Sequence, residues 1–141
     1  RSSPRAAWLA DDGIRRIVVC GPAAAASRQR AFAATGAEVW PMAVRPDRHG
    51  RSGIQLSMLL KRAAREGITS VLVEGGGRLA GQFLTGKQAD RLALVTAPVL
   101  LGGDSRRWTN GLGVTRVDRA PRLRNVALRP IGTDWLVTGD L

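Results

Sequence analysis

One stretch, Val71-Leu72-Val73-Glu74-Gly75-Gly76-Gly77-Arg78-Leu79-Ala80, constrains the fold of this chain more than any other. The apolar, β-branched run from Ser70 to Val73 suits a strand covered on both faces. The run stops at a carboxylate, turns through three glycines and opens a helix. Glycine lets the backbone turn sharply and lets a ligand come close. The first amides of the following helix lack intrahelical acceptors and lie at the positive end of its dipole. They therefore offer an anion a cradle. An acid beside such a cradle, at the carboxyl end of a strand, is where open α/β sheets place ligands.

The rest of the chain arranges itself around that junction. Residues 1–13 form a lead-in, with Trp8 and Leu9 available to pack on the body and a turn at Asp11-Asp12-Gly13. Ile14 to Cys20 reads as a strand broken by Gly21-Pro22. A helix is expected from Ser27, as N-cap, to Thr35, with Gly36 as its stop. Ala37 to Trp40 is a second strand, closed by Pro41. Residues 45–53 read as a polar loop rich in Arg and Gly. From Leu56 to Glu66 the apolar residues Leu56, Leu59, Leu60, Ala63 and Ala64 keep one face at helical spacing, and Gly67 ends the helix. A short helix after the glycines carries Leu79, Ala80, Phe83 and Leu84 inward. Ala93 to Ala97 is a strand stopped by Pro98. Two apolar runs around Gly132-Thr133-Asp134 read as an antiparallel hairpin. The alternation implies an α/β fold: a mostly parallel sheet, helices on both faces, and an antiparallel C-terminal hairpin. No repeat or linker divides the 141 residues, so a single domain over 1–141 is expected.

Composition narrows the function classes. The formal net charge of +11 invites a nucleic-acid partner, but the basic residues are spread along the chain and aromatics are only 4%. Nucleic acid is not expected. Nearly all the cations are Arg, whose planar fork also suits the phosphates of a small ligand. No apolar run approaches the roughly 20 residues of a membrane helix. No signal-peptide core is visible, so a cytoplasmic protein is expected. The first residue is Arg rather than Met, which points to a piece of a longer chain. Cys20 is the only cysteine and His49 the only histidine. Cys20 reads as a core residue and His49 as a solvated loop residue, and no metal site is expected.

Two phosphate-binding patterns are tested by the same residues. Gly75, Gly77 and Ala80 satisfy G-x-G-x-x-G/A between a strand and a helix. The next strand, however, ends Val95-Thr96-Ala97-Pro98 without the acid that would hold a ribose, so a standard Rossmann domain is disfavoured. Gly81, Gly86 and Lys87 nearly spell a P-loop, but Gln88 stands where the Mg²⁺-binding hydroxyl belongs. Gly86 reads as a helix C-cap instead. Glu74 is open to two roles: capping nearby backbone amides, or accepting hydrogen bonds from a polar ligand.

These residues also carry a resemblance. Val71 to Ala80 resembles the Glu-Gly-Gly signature of the riboflavin-biosynthesis reductase domain, the C-terminal half of the bacterial bifunctional pyrimidine deaminase/reductase. Ala89-Asp90-Arg91-Leu92, then Thr96 to Gly103, resembles that family's next block, and Gly132-Thr133-Asp134-Trp135-Leu136 its closing hairpin. The blocks keep their order from about residue 14 onward. The resemblance implies the three-layer α/β/α fold of dihydrofolate reductase. That enzyme shares a Gly-Gly-Gly-Arg turn but has no acid at the position of Glu74.

The resemblance further implies that NADPH lies on Gly75, Gly76, Gly77, Arg78, Leu79, Ala80, Gly81 and Gln82, its pyrophosphate on Gly76 to Gln82, and that Glu74 touches a phosphoribosylaminopyrimidine substrate. The implied reaction is hydride transfer to the ribose C1′ of 5-amino-6-(5-phosphoribosylamino)uracil, giving the ribitylamino product. It implies a cis Gly75–Gly76 peptide and a homodimer. No catalytic residue is assigned. The family's N-terminal part, with its first strand and a Ser-Leu-Asp-Gly-like segment, has no counterpart in residues 1–13; a missing N-terminal segment or deaminase domain is therefore expected. Two other readings stand beside it: a pterin or dihydrofolate-type reductase of the same fold, and a non-catalytic NADP-binding domain.

Overall fold

The structure, a computed structural model, describes residues 3–9, 12–46, 52–103, 105 and 107–141. It divides into two compact units, Arg1–Thr69 and Ser70–Leu141. His49, most of the Arg- and Gly-rich loop around it, Asp11 and Asp104 lie outside the described residues.

In the first unit, β1 (Ile17–Cys20) and β2 (Glu38–Pro41) pair in parallel, with Ile17 opposite Glu38 and Cys20 opposite Pro41. Helix α1 (Ala26–Ala33) makes the crossover. Strand alternation sends neighbouring side chains to opposite faces, and two clusters follow from it. Val18 and Val39 pack with Leu9, Phe32 and Ala37 on the α1 side. Ile17, Val19 and Trp40 pack with Met42, Leu59, Ala63, Ile54 and Ile68 on the other. Leu59 and Ala63 come from α2 (Leu56–Arg65), four apart and so on one face. The stripe expected there is narrower than predicted, because Ala64 is exposed. Gly67 follows α2 at φ +80 and Gly36 follows α1 at φ +80, the left-handed conformation that ends both helices. Leu9 in the lead-in is buried, and Trp8 is exposed.

Three local expectations are corrected. Ser27 is not the N-cap of α1: Ala25 is, without a side-chain cap, because good helix formers start the helix two residues earlier. Pro41 does not follow the second strand but is the last residue of β2, paired with Cys20. The expected loop at 45–53 contains β3 (Val44–Pro46) and β4 (Ser52–Ile54), a short antiparallel pair.

In the second unit, α3 (Gly77–Thr85) precedes a three-stranded antiparallel sheet. Its order is β5 (Arg91–Thr96), β7 (Asp134–Asp140), β6 (Arg124–Ile131). The expected hairpin is present: Ile131 faces Asp134 across Gly132-Thr133, and Gly132 has φ +58. β5 is antiparallel to β7 rather than part of a parallel centre. Among the described ladders, one is parallel and three are antiparallel, so the mostly parallel sheet is not what these residues form. Ser70 to Val73 belongs to no ladder among the described residues, and Val71 and Leu72 are exposed. An apolar run states a preference for a strand; only a partner's N–H and C=O groups make it one. Among the described residues, no helix is long and apolar enough to cross a membrane.

Candidate functional site

The residues expected to meet cofactor and substrate, Glu74 to Gln82, lie in the second unit, just before and along the first part of α3. Glu74, Gly75 and Gly76 are exposed, and Gly76 is the N-cap, with φ −68 and ψ 169. Gly77 to Gln82 lie on the helix. Leu79 and Ala80 donate their amides to the Gly76 carbonyl at 2.9 and 3.2 Å, which closes the first turn. The amides of Gly76 and Gly77 find no acceptor among the described residues, as the start of a helix dictates. No side chain caps the helix, so Glu74 does not take the capping role; its carboxylate has no hydrogen bond or ion pair among the described residues. Arg78 is exposed in the first turn. All described peptide bonds are trans, Gly75–Gly76 included, which is the lower-energy form for a residue other than proline.

The glycines of this stretch answer to different neighbours. A Cβ on Gly76 would meet nothing within 4 Å, and its backbone angles are open to any residue. A Cβ on Gly75 would meet the Leu79 side chain at 2.5 Å. On Gly77 it would stand 2.5 Å from the Arg107 carbonyl oxygen, and on Gly81 1.8 Å from the Asn110 carbonyl oxygen. The chain's own turn at Arg107–Asn110 therefore explains the missing side chains of Gly77 and Gly81. Among the described residues, no atom lies within 4 Å of where a Cβ on Gly76 would stand. An anion cradle needs that space, together with unpaired amides and an accessible helix end, and the residues present fit the pyrophosphate of a dinucleotide.

Sequence reasoning did not foresee that the irregular segment Arg107–Asn110 lies against α3. The signal was present in the four-residue spacing of Gly77 and Gly81, which puts two bare backbone positions on one helix face. At the other end of α3, Gly86 is the C-cap as expected, but at φ −77; the left-handed position falls on Lys87, at φ 50. Among the described residues, no group of three His, Cys, Asp or Glu could hold a metal ion.

Comparison with known proteins bears on this arrangement. The family described as RibD C-terminal domain matches residues 1–137. Riboflavin biosynthesis protein RibD of Escherichia coli (strain K12) is 32% identical over 99 residues, 67% of this chain and 26% of that protein. The 2,5-diamino-6-ribosylamino-4(3H)-pyrimidinone 5′-phosphate reductase of Methanothermobacter thermautotrophicus is 33% identical over 89 residues, 62% of this chain and 41% of the relative. RibD of Mycobacterium tuberculosis (strain H37Rv) is 36% identical over 70 residues, half of this chain and 20% of that protein. The matched region thus spans less than half the length of each of these relatives.

Proposed function

The chain belongs to the RibD C-terminal domain family, and from that premise we propose that it carries the dinucleotide-binding wall of an NADPH-dependent reductase of riboflavin biosynthesis. The substrate is 5-amino-6-(5-phosphoribosylamino)uracil. The observation that carries the reading is the start of α3, where Gly76 opens on free space between two unpaired amides and the unpartnered carboxylate of Glu74. The name of the archaeal relative supports the reaction class, and that of the Escherichia coli relative the pathway.

In this reading the amides of Gly76 and Gly77 receive the pyrophosphate, with Gly75 and Arg78 to Gln82 forming the rest of the cofactor-binding segment. Glu74 accepts hydrogen bonds from donors of the substrate. When bound, NADPH supplies the hydride for the ribose C1′, and reduction there leaves an open ribityl chain. The contribution of these residues is alignment: a helix end fixes one reactant and a carboxylate a few residues away orients the other. The two units belong to a single dihydrofolate-reductase-like domain of three layers. A second copy of the chain, and a further segment or deaminase domain, complete the working protein in the cytoplasm.

The test is turnover by the full-length protein. NADPH oxidation should depend on the phosphoribosylaminopyrimidine and not on dihydrofolate. Preferential use of dihydrofolate would move the reading to a pterin reductase. NADPH binding without turnover of either would leave a non-catalytic domain.

A further inference from the structure

We propose that the turn Arg107–Asn110 is a positioning element of the dinucleotide cradle: clasped along one face of α3, it fixes where the helix's N-terminal amides point. The inference rests on the reading above of α3 as the NADPH-binding helix.

Gly77 and Gly81 lie one helical turn apart on the same face. The same short turn meets both of them with its backbone. At Gly77, the Arg107 carbonyl oxygen and the Thr109 amide nitrogen lie 2.5 and 3.1 Å from where a Cβ would stand. At Gly81, the Asn110 carbonyl oxygen lies 1.8 Å from that point. The Asn110 amide also donates to the Gly77 carbonyl at 2.8 Å. A single contact would leave a helix free to roll about it. Two contacts about 6 Å apart along the axis fix both its roll and its slide.

The turn carries a cost in taking this position. The Thr109 hydroxyl is buried and has no hydrogen-bond partner among the described residues. Buried hydroxyls are ordinarily paired, so a turn free to settle by itself would satisfy this one. Its backbone is held instead by the face of α3. Gly111, at φ +79, follows directly and lets the chain leave the helix at once.

An anion at a helix N-terminus is held by the direction of a few N–H groups. Moving such groups by about 1 Å costs on the order of 10- to 100-fold in a positioned complex. Displacing the turn should therefore be read out in NADPH affinity, although the turn need touch neither reactant.

The experiment is Gly81→Ala in the full-length protein. Alanine is the better helix former, so α3 itself is not weakened. The added methyl group stands where the Asn110 carbonyl lies. The expected result is a rise in KM for NADPH on the order of 10- to 100-fold together with faster hydrogen exchange of the Asn110 amide in the ligand-free variant, which a methyl group that merely met the cofactor would not cause. A folded Gly81→Ala protein with unaltered KM for NADPH would overturn the proposal. Should that variant not fold, hydrogen exchange of the unaltered protein decides. Coupling between clasp and cofactor is reciprocal, so saturating NADPH must slow exchange of the Asn110 amide; exchange indifferent to NADPH overturns the proposal. Gly76→Ala separates the two levels of the argument. If it abolishes NADPH binding while Gly81→Ala does not weaken it, the positioning role alone fails. If it leaves NADPH binding intact, the cradle fails and the positioning role with it.

Discussion

Arg15 forks onto Glu38: its Nε donates to Oε1 at 2.6 Å and its Nη2 to Oε2 at 3.0 Å. Nη2 also reaches Oε2 of Glu66 at 2.9 Å. The guanidinium, with a smaller part played by the Trp40 indole N–H, holds the Glu38 carboxyl below its ordinary pKa. A carboxyl depressed in the folded state contributes stability above its unfolded pKa and loses it as pH falls through the folded value. Unfolding midpoints should therefore decline on acidification through and below the usual carboxylate range. Glu38→Gln should flatten that decline. Both side chains are 43% exposed, so added salt should shrink the difference between the two proteins. Parallel acid limbs for the two proteins would remove Glu38 from the account.

Lys87 occupies the left-handed position after α3, at φ 50. Its amide donates to the Leu84 carbonyl and that of Gln88 to the Phe83 carbonyl, the Schellman pairing. A side chain there carries steric strain of about 1–2 kcal/mol that glycine avoids, offset in part by the greater freedom of glycine in the unfolded chain. Lys87→Gly should thus raise stability by roughly 0.5–1 kcal/mol. Thermal or urea unfolding checks the sign, and a loss of stability would mean that the lysine side chain makes a compensating contact.

These two relationships mark how far the sequence could be followed. Helical spacing located α2, and the apolar runs flanking Gly132-Thr133 located the hairpin, because local periodicity encodes both. The parallel pair β1–β2 with its α1 crossover followed from the order of elements. Pairing between distant segments did not follow. Nothing in Arg91 to Thr96 states that its neighbour will be β7 and antiparallel, and nothing in Ser70 to Val73 supplies the partner that a ladder needs. At the site, the glycine turn that opens a helix was legible from Glu74 to Gly77. The close approach of Asn110 to Gly81 was not, because a contact across 29 positions leaves only a bare glycine as its trace.

Arg62 lays its guanidinium over Trp40, 4.3 Å from the ring centroid, with Nη1 3.9 Å from the Met42 sulfur. Trp40 is only 3% exposed and belongs to the cluster on the α2 face of the β1–β2 pair. A partly desolvated cation over an indole contributes about 0.5–2 kcal/mol. Arg62→Ala should lower unfolding stability by that order. Arg62→Lys should recover only part of the loss, since it keeps the charge but not the plane. Full recovery in the lysine variant would show that charge alone is at work.

Glu74 presents an exposed carboxylate without a partner among the described residues, immediately before the glycine turn. If it receives donors of the pyrimidine or its ribose, Glu74→Gln removes charge-assisted hydrogen bonds worth about 1.5–3 kcal/mol while keeping the side chain's shape. The KM of the substrate should then rise roughly 10- to 100-fold, with the NADPH dissociation constant unchanged. Equal losses for both ligands would sink the substrate role, because they would place Glu74 in the shared architecture of the turn.

Gly76 and Gly77 are neighbours with opposite reasons for lacking a side chain, and alanine substitution should separate them. At Gly76 a Cβ meets no atom of the described residues within 4 Å, and the backbone is in a region any residue adopts. Gly76→Ala should therefore fold with stability changed by no more than about 0.5 kcal/mol. Its methyl group would occupy the space that the pyrophosphate needs, so NADPH affinity should fall by about 100-fold or more, as when a close backbone approach is blocked. At Gly77 a Cβ collides with the Arg107 backbone at 2.5 Å. Gly77→Ala should lose stability even without ligand, by about 1–3 kcal/mol as overpacking does. Calorimetry of the ligand-free variants beside NADPH titrations reads both effects at once. A stable Gly76→Ala protein that binds NADPH normally would show that the open space beside Gly76 is not where the cofactor lies.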